Sequence, residues 1–88
     1  MIYGNIITNP QNKRGWVMIY AQRIRALRED NDKTQKDIAT LLGTTQQYYG
    51  QYEIGKRALH IDHLITLCKY YDVSADFILG LTDEPKKI

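Results

Sequence analysis

From about Val17 onward the apolar residues return every three or four positions, the spacing of one face of a helix. Tyr20, Ile24 and Leu27 fall at i, i+4 and i+7 and predict a first helix over about Val17 to Asp30. The run Asp30–Asn31–Asp32 ends it, because Asn and Asp tolerate the left-handed conformation better than most residues. A second helix is expected over about Gln35 to Leu42, with Thr34 as N-cap, Asp37 completing a capping box and Gly43 as the stop. Ile38, Leu41 and Leu42 form its expected buried face. A third helix follows Thr45 and runs to about Glu53 or Ile54, where Gly55 stops it. The fourth spans about Ile61 to Tyr71, with Ile61, Leu64, Ile65, Leu67, Cys68 and Tyr71 on a broad apolar face. A short fifth, Ala75 to Leu79, lies between Ser74 as cap and Gly80 as stop. No stretch of this region alternates with period two long enough for a sheet. The pattern predicts an all-α fold of five helices with short connections.

The two ends read differently. Residues 1–16 carry Gly, Pro and Asn among short β-branched runs, and form an N-terminal extension that is an arm, a strand or a disordered segment. Ile2, Tyr3, Ile6 and Ile7 suit strand pairing with a second subunit, whereas Lys13 and Arg14 suit a phosphate or a minor groove. Residues 17–83 are the expected domain and 84–88 a tail. A chain of 88 residues has room for one domain with a thin core. The net charge of +2 says little about a partner by its size, so its distribution matters more. Cys68 is the single cysteine and cannot form an internal disulfide, which fits a reducing compartment. No apolar run approaches the roughly 20 residues that span a bilayer, and the start lacks the basic and apolar regions of a signal peptide. A cytoplasmic protein without a membrane partner is expected.

The informative stretch is TTQQYYGQYEIG, Thr44 to Gly55. The second and third helices are joined by Gly43–Thr44–Thr45, a turn short enough for a helix-turn-helix. In that motif the second helix enters the DNA major groove and its N-terminal residues reach base edges. Gln46 and Gln47 open that helix, and Gln51 stands one turn beyond Gln47 on the same face. A glutamine amide carries a donor and an acceptor, matching the adenine edge in the major groove. Thr45 adds a methyl that can meet a thymine methyl. Tyr48 can pack on a sugar or a thymine methyl, or lie exposed. A solvated helix face is the plainer reading of three glutamines; the turn and the caps weigh against it.

The stretches RIRALRED, TQKDIATLLGTTQQ, YEIGKR and DVSADFILGLTDE resemble the lambda-repressor-like, Xre-type helix-turn-helix family, over about residues 23–83. TTQQ with Gln51 also resembles the recognition helix of one lambdoid phage repressor group. The resemblance implies a five-helix fold, double-stranded DNA as ligand and a homodimer on an inverted repeat. It implies base contacts by Gln46, Gln47 and Gln51. Gln35 matches a residue that touches phosphate and braces the recognition helix, and Lys56 and Arg57 match a loop on the DNA backbone. Lys36, beside Gln35, joins the expected phosphate set. Arg28 and Glu53 match an ion pair, and Glu53, at a helix end where the dipole disfavours an anion, needs a cation. Tyr49 and Tyr52 fall where the family places packing residues. Gly50, inside the recognition helix, should cost about 1 kcal/mol relative to Ala unless something approaches closely there.

No catalytic chemistry is visible. His60, Asp62 and His63 lack the closed ligand set of a metal site, and no base accompanies Cys68. The expected function is non-enzymatic and needs no cofactor: a sequence-specific DNA-binding transcriptional regulator, of repressor type. The alternative is an antitoxin-like interaction module that binds a toxin or other protein partner and also regulates itself through DNA.

Overall fold

The computed structural model of the protein describes residues 10–85. Over these residues the chain forms five α-helices: α1 (Pro10–Asp30), α2 (Gln35–Leu42), α3 (Gln46–Glu53), α4 (Ile61–Tyr71) and α5 (Ala75–Leu79). Among the described residues there is no strand. The all-α expectation therefore holds, with one difference at the start. α1 begins at Pro10, well before Val17, so residues 10–16 continue the helix instead of forming a separate arm or strand. Proline at the first helical position lacks only an N–H that would be unpaired there anyway, and its φ is already helical. Gln, Lys and Arg follow, all good helix formers, and one glycine at Gly15 is too small a penalty to stop them. The expectations placed on Ile2, Tyr3, Ile6 and Ile7, and on the side chains of Lys13 and Arg14, lie outside the described residues.

Local chemistry sets the other boundaries. Thr34 Oγ1 accepts from the Asp37 N–H at 3.0 Å while the Asp37 carboxylate accepts from the Thr34 N–H at 2.9 Å, a closed capping box. These bonds to Thr34 hold the Asp37 carboxyl below its ordinary range. Gly43 ends α2 at φ 70°, donating to the Ala39 and Thr40 carbonyls. Thr45, His60 and Ser74 cap α3, α4 and α5 by accepting from the backbone N–H of Tyr48, Asp62 and Phe77. His60, unusual for this position, uses its Nδ1.

The core is made by Tyr20, Ala21 and Ile24 of α1, Ile38 and Ala39 of α2, Tyr49 and Tyr52 of α3, Leu64, Leu67 and Cys68 of α4, then Val73 and Ile78. α2 packs on α3, α1 packs on both α3 and α5, and α4 packs on α5. Three expected core assignments change. Leu41 is exposed and Ala39 takes its place. With 100° between residues, Ile38, Leu42 and Ala39 span one arc, and Leu41 lies beyond its edge. On α4, Ile61 and Ile65 also face outward, at 63% and 48% exposure, so the buried stripe is narrower than its apolar pattern suggested. They border a shallow groove of about 170 Å³ with Leu64, Cys68, Lys69 and Ala75.

Candidate nucleic-acid interface

α2, the turn Gly43–Thr44–Thr45 and α3 make a helix-turn-helix, closed by the Thr44 N–H donating to the Ala39 carbonyl at 2.9 Å. Its inner side is a buried polar mount. Arg28 of α1 donates from Nε and Nη2 to the two carboxylate oxygens of Glu53 at 2.7 and 2.9 Å, a bidentate pair. A third bond runs from Gln35 Nε2 of α2 to Glu53 Oε1 at 3.1 Å. Three helices thus meet on one carboxylate. Burial alone would raise the Glu53 pKa; the hydrogen bonds led by Arg28 outweigh it and hold the carboxyl below its ordinary range. The same pairing raises Arg28. The hydroxyls of Tyr49 and Tyr71 are buried without a well-formed hydrogen bond, and burial, reinforced by the Glu53 charge, pushes both phenols up. Arg28 also donates to the Lys33 carbonyl at 3.0 Å, fixing the α1–α2 turn.

Gln46 and Gln47 lie on the outer side, exposed and without a partner among the described residues. Thr45 is exposed beside them, with its hydroxyl used in the cap and its methyl left free. Gln35, Gln46, Gln47 and Gly50 line one open groove of about 510 Å³. Because the Glu53 carboxylate only accepts, the Gln35 amide nitrogen must face it, which turns the Gln35 oxygen toward Gly50. A Cβ on Gly50 would meet that oxygen at 3.5 Å, ordinary contact, so the neighbour of Gly50 is a side chain of α2. Lys36 at the start of α2, and Lys56 and Arg57 after α3, are exposed cations. The Gly55 turn that leads to them has φ 74°, a left-handed conformation that favours glycine, and a Cβ there would force the Met18 side chain of α1 to shift.

Four sets of contacts escaped the sequence reading. Gln51 is not free like Gln46 and Gln47: its Oε1 accepts from Arg57 Nε at 3.0 Å. Tyr48 carries the Arg57 guanidinium on its ring face, 4.1 Å from the centroid. Arg23 donates to the Phe77 and Thr82 carbonyls, both at 2.7 Å, and to Asp83 at 2.8 Å, tying α1 to the segment after α5. His63 bonds the Tyr52 hydroxyl at 2.7 Å, which also accepts from the His60 N–H at 3.3 Å. Among the described residues, no group of three or more His, Cys, Asp or Glu could hold a metal, and no helix is long and apolar enough to cross a membrane.

Comparison with known proteins agrees with this architecture. The family model described as "Helix-turn-helix" matches residues 24–78. The uncharacterized HTH-type transcriptional regulator YobD of Bacillus subtilis (strain 168) is 42% identical over 67 residues, covering 76% of this chain and 60% of that protein. The SPbeta prophage-derived uncharacterized HTH-type transcriptional regulator YonR of the same organism is 36% identical over 61 residues, covering 69% of this chain and 56% of that protein. The chain thus spans about three-fifths of the length of these relatives. Among solved structures, the restriction-modification controller protein C.AhdI from Aeromonas hydrophila superposes with a TM-score of 0.65 at 25% identity, covering 74% of this chain and 94% of that one. With a family match over more than half its length and a buried mount beneath an exposed α3, the chain belongs to the lambda-repressor-like helix-turn-helix family of DNA-binding regulators.

Proposed function

We propose that the protein is a sequence-specific, double-stranded DNA-binding transcriptional repressor that acts as a homodimer on an inverted repeat. One observation carries the reading: α3 is anchored on its inner side by Glu53 and offers Gln46 and Gln47 on its outer side without a partner among the described residues. A rigidly held helix with free amides suits major-groove reading, because little side-chain order is lost beyond the readers themselves. Gln46, Gln47 and Gln51 read bases, with Thr45 beside them and Tyr48 at the edge. Lys36, Lys56 and Arg57 face phosphate, as does Gln35 through its second amide hydrogen and the N–H groups at the start of α2. Binding then falls steeply with salt. Two copies place their α3 helices in successive major grooves, about one helical turn apart, and occlude a promoter. The reading needs no cofactor and no catalysis, and the protein works in the cytoplasm, where its DNA is.

The exposed Ile61 and Ile65 beside the α4 groove support a protein contact as well. A second copy is the reading preferred here; a toxin or other protein partner is the alternative, tested by co-purification. Selection of sites from a random duplex pool with the purified chain tests the main reading. An enriched inverted repeat with fixed bases in each half is the expected outcome. A folded protein that enriches nothing would overturn it.

A further inference from the structure

Gln51 differs from Gln46 and Gln47 in what it can present. Arginine carries only donors, so the Gln51 oxygen must face Arg57 Nε and its amide nitrogen must face away. The guanidinium also lies over the Tyr48 ring, 4.1 Å from its centroid. Tyr48 is held in turn, edge-on at 5.5 Å, by the fully buried Tyr52. A chain of contacts from the core therefore fixes the orientation of one surface amide. Adenine offers a donor and an acceptor side by side and is matched by an amide with both groups free. With its oxygen engaged, Gln51 shows its N–H side, next to the remaining N–H groups of Arg57. That is a row of donors, complementary to the N7 and O6 acceptors of guanine.

Resting on the reading of α3 as the base-reading helix, we propose that Gln51 and Arg57, braced by Tyr48, read one guanine as a unit. Arg57 is then a specificity-determining residue in addition to its contact with phosphate. Lysine keeps the charge but has neither the fork nor the flat face that the pairing uses.

The test is site selection from a random duplex pool with the full chain, followed by competition binding with one base pair changed at a time. Wild type, Arg57→Lys, Gln51→Ala and Gln47→Ala are compared, each checked for native helicity and melting. Wild type should enrich guanine at the position that Gln51→Ala relaxes. Arg57→Lys should lose discrimination at that same position, by about 5- to 150-fold, and keep it elsewhere. Adenine at that position overturns the proposal. So does an Arg57→Lys variant that weakens all sites equally or discriminates like wild type. If Gln47→Ala still relaxes its own position in that case, the reading of α3 stands and only the Arg57 assignment fails. If folded wild type enriches no sequence, both fall.

Discussion

Along the eight residues of α3, Tyr49, Tyr52 and Glu53 turn inward while Gln46, Gln47 and Gln51 turn outward. The inward residues are buried, and both Glu53 oxygens are bonded to other helices. The outward residues are exposed or half-exposed, and two of the three amides have no partner among the described residues. One face is therefore costly to alter and the other nearly free of folding constraint. A short helix of this length would not be stable alone. What holds its shape is the inner face, and what the outer face presents is inherited from that rigidity.

The comparison breaks most violently on the inner side. Arg28→Ala leaves a buried carboxylate without its cation and should cost about 3–5 kcal/mol in urea unfolding. A loss below about 1 kcal/mol would mean that the pair is effectively solvent-screened. Acid attacks the same place. The Glu53 carboxyl is depressed in the folded state, so its contribution is fully present above its unfolded value of 4.5. It is lost as pH falls below that value and through the folded one. Urea midpoints measured from pH 6 downward should fall in that window, and Glu53→Gln should flatten the dependence.

On the outer side the effects move from stability to selectivity. Gln47→Ala should leave unfolding unchanged within about 0.5 kcal/mol. It should relax preference at one base pair by about 1–3 kcal/mol in competition binding. Unchanged preference would remove Gln47 from the readers. Gly50→Ala probes the boundary between the faces and is the smallest effect. Its Cβ meets Gln35 at ordinary contact distance, so the helix should gain about 1 kcal/mol with base preference intact. A loss of stability would show that the Gln35 amide cannot yield.

The residues that were legible in advance are those whose chemistry is local. Thr34, Asp37, Gly43, Thr45, Ser74 and Gly80 act within three or four positions of themselves, so spacing reveals them. The start of the first helix at Pro10, ahead of Val17, was missed because a proline opens a helix as readily as it interrupts one, and only the rest of the chain decides. Leu41 and Ile65 were misjudged because hydrophobicity names candidates for burial, whereas the neighbouring helices choose the arc. In the candidate site, helix periodicity placed the three amides on one face. The Gln51–Arg57 bond bridges the left-handed turn at Gly55, where helical spacing no longer says what meets what. The Arg23 contacts lie about 60 positions apart and leave no local pattern at all.

Those Arg23 contacts have a consequence for the chain as it leaves the ribosome. Arg28, Gln35 and Glu53 are all made by residue 53, so the three helices that join at the Glu53 carboxylate can meet early. The opposite flank of α1 waits for Phe77, Thr82 and Asp83, about 30 residues later. At roughly 5–20 residues per second, that is a delay of about 1.5–6 s. During it, the side of α1 that α5 will cover stays open to other nascent chains. The mount beneath α3 can close first, and the contacts that cover the other flank of α1 come later in synthesis.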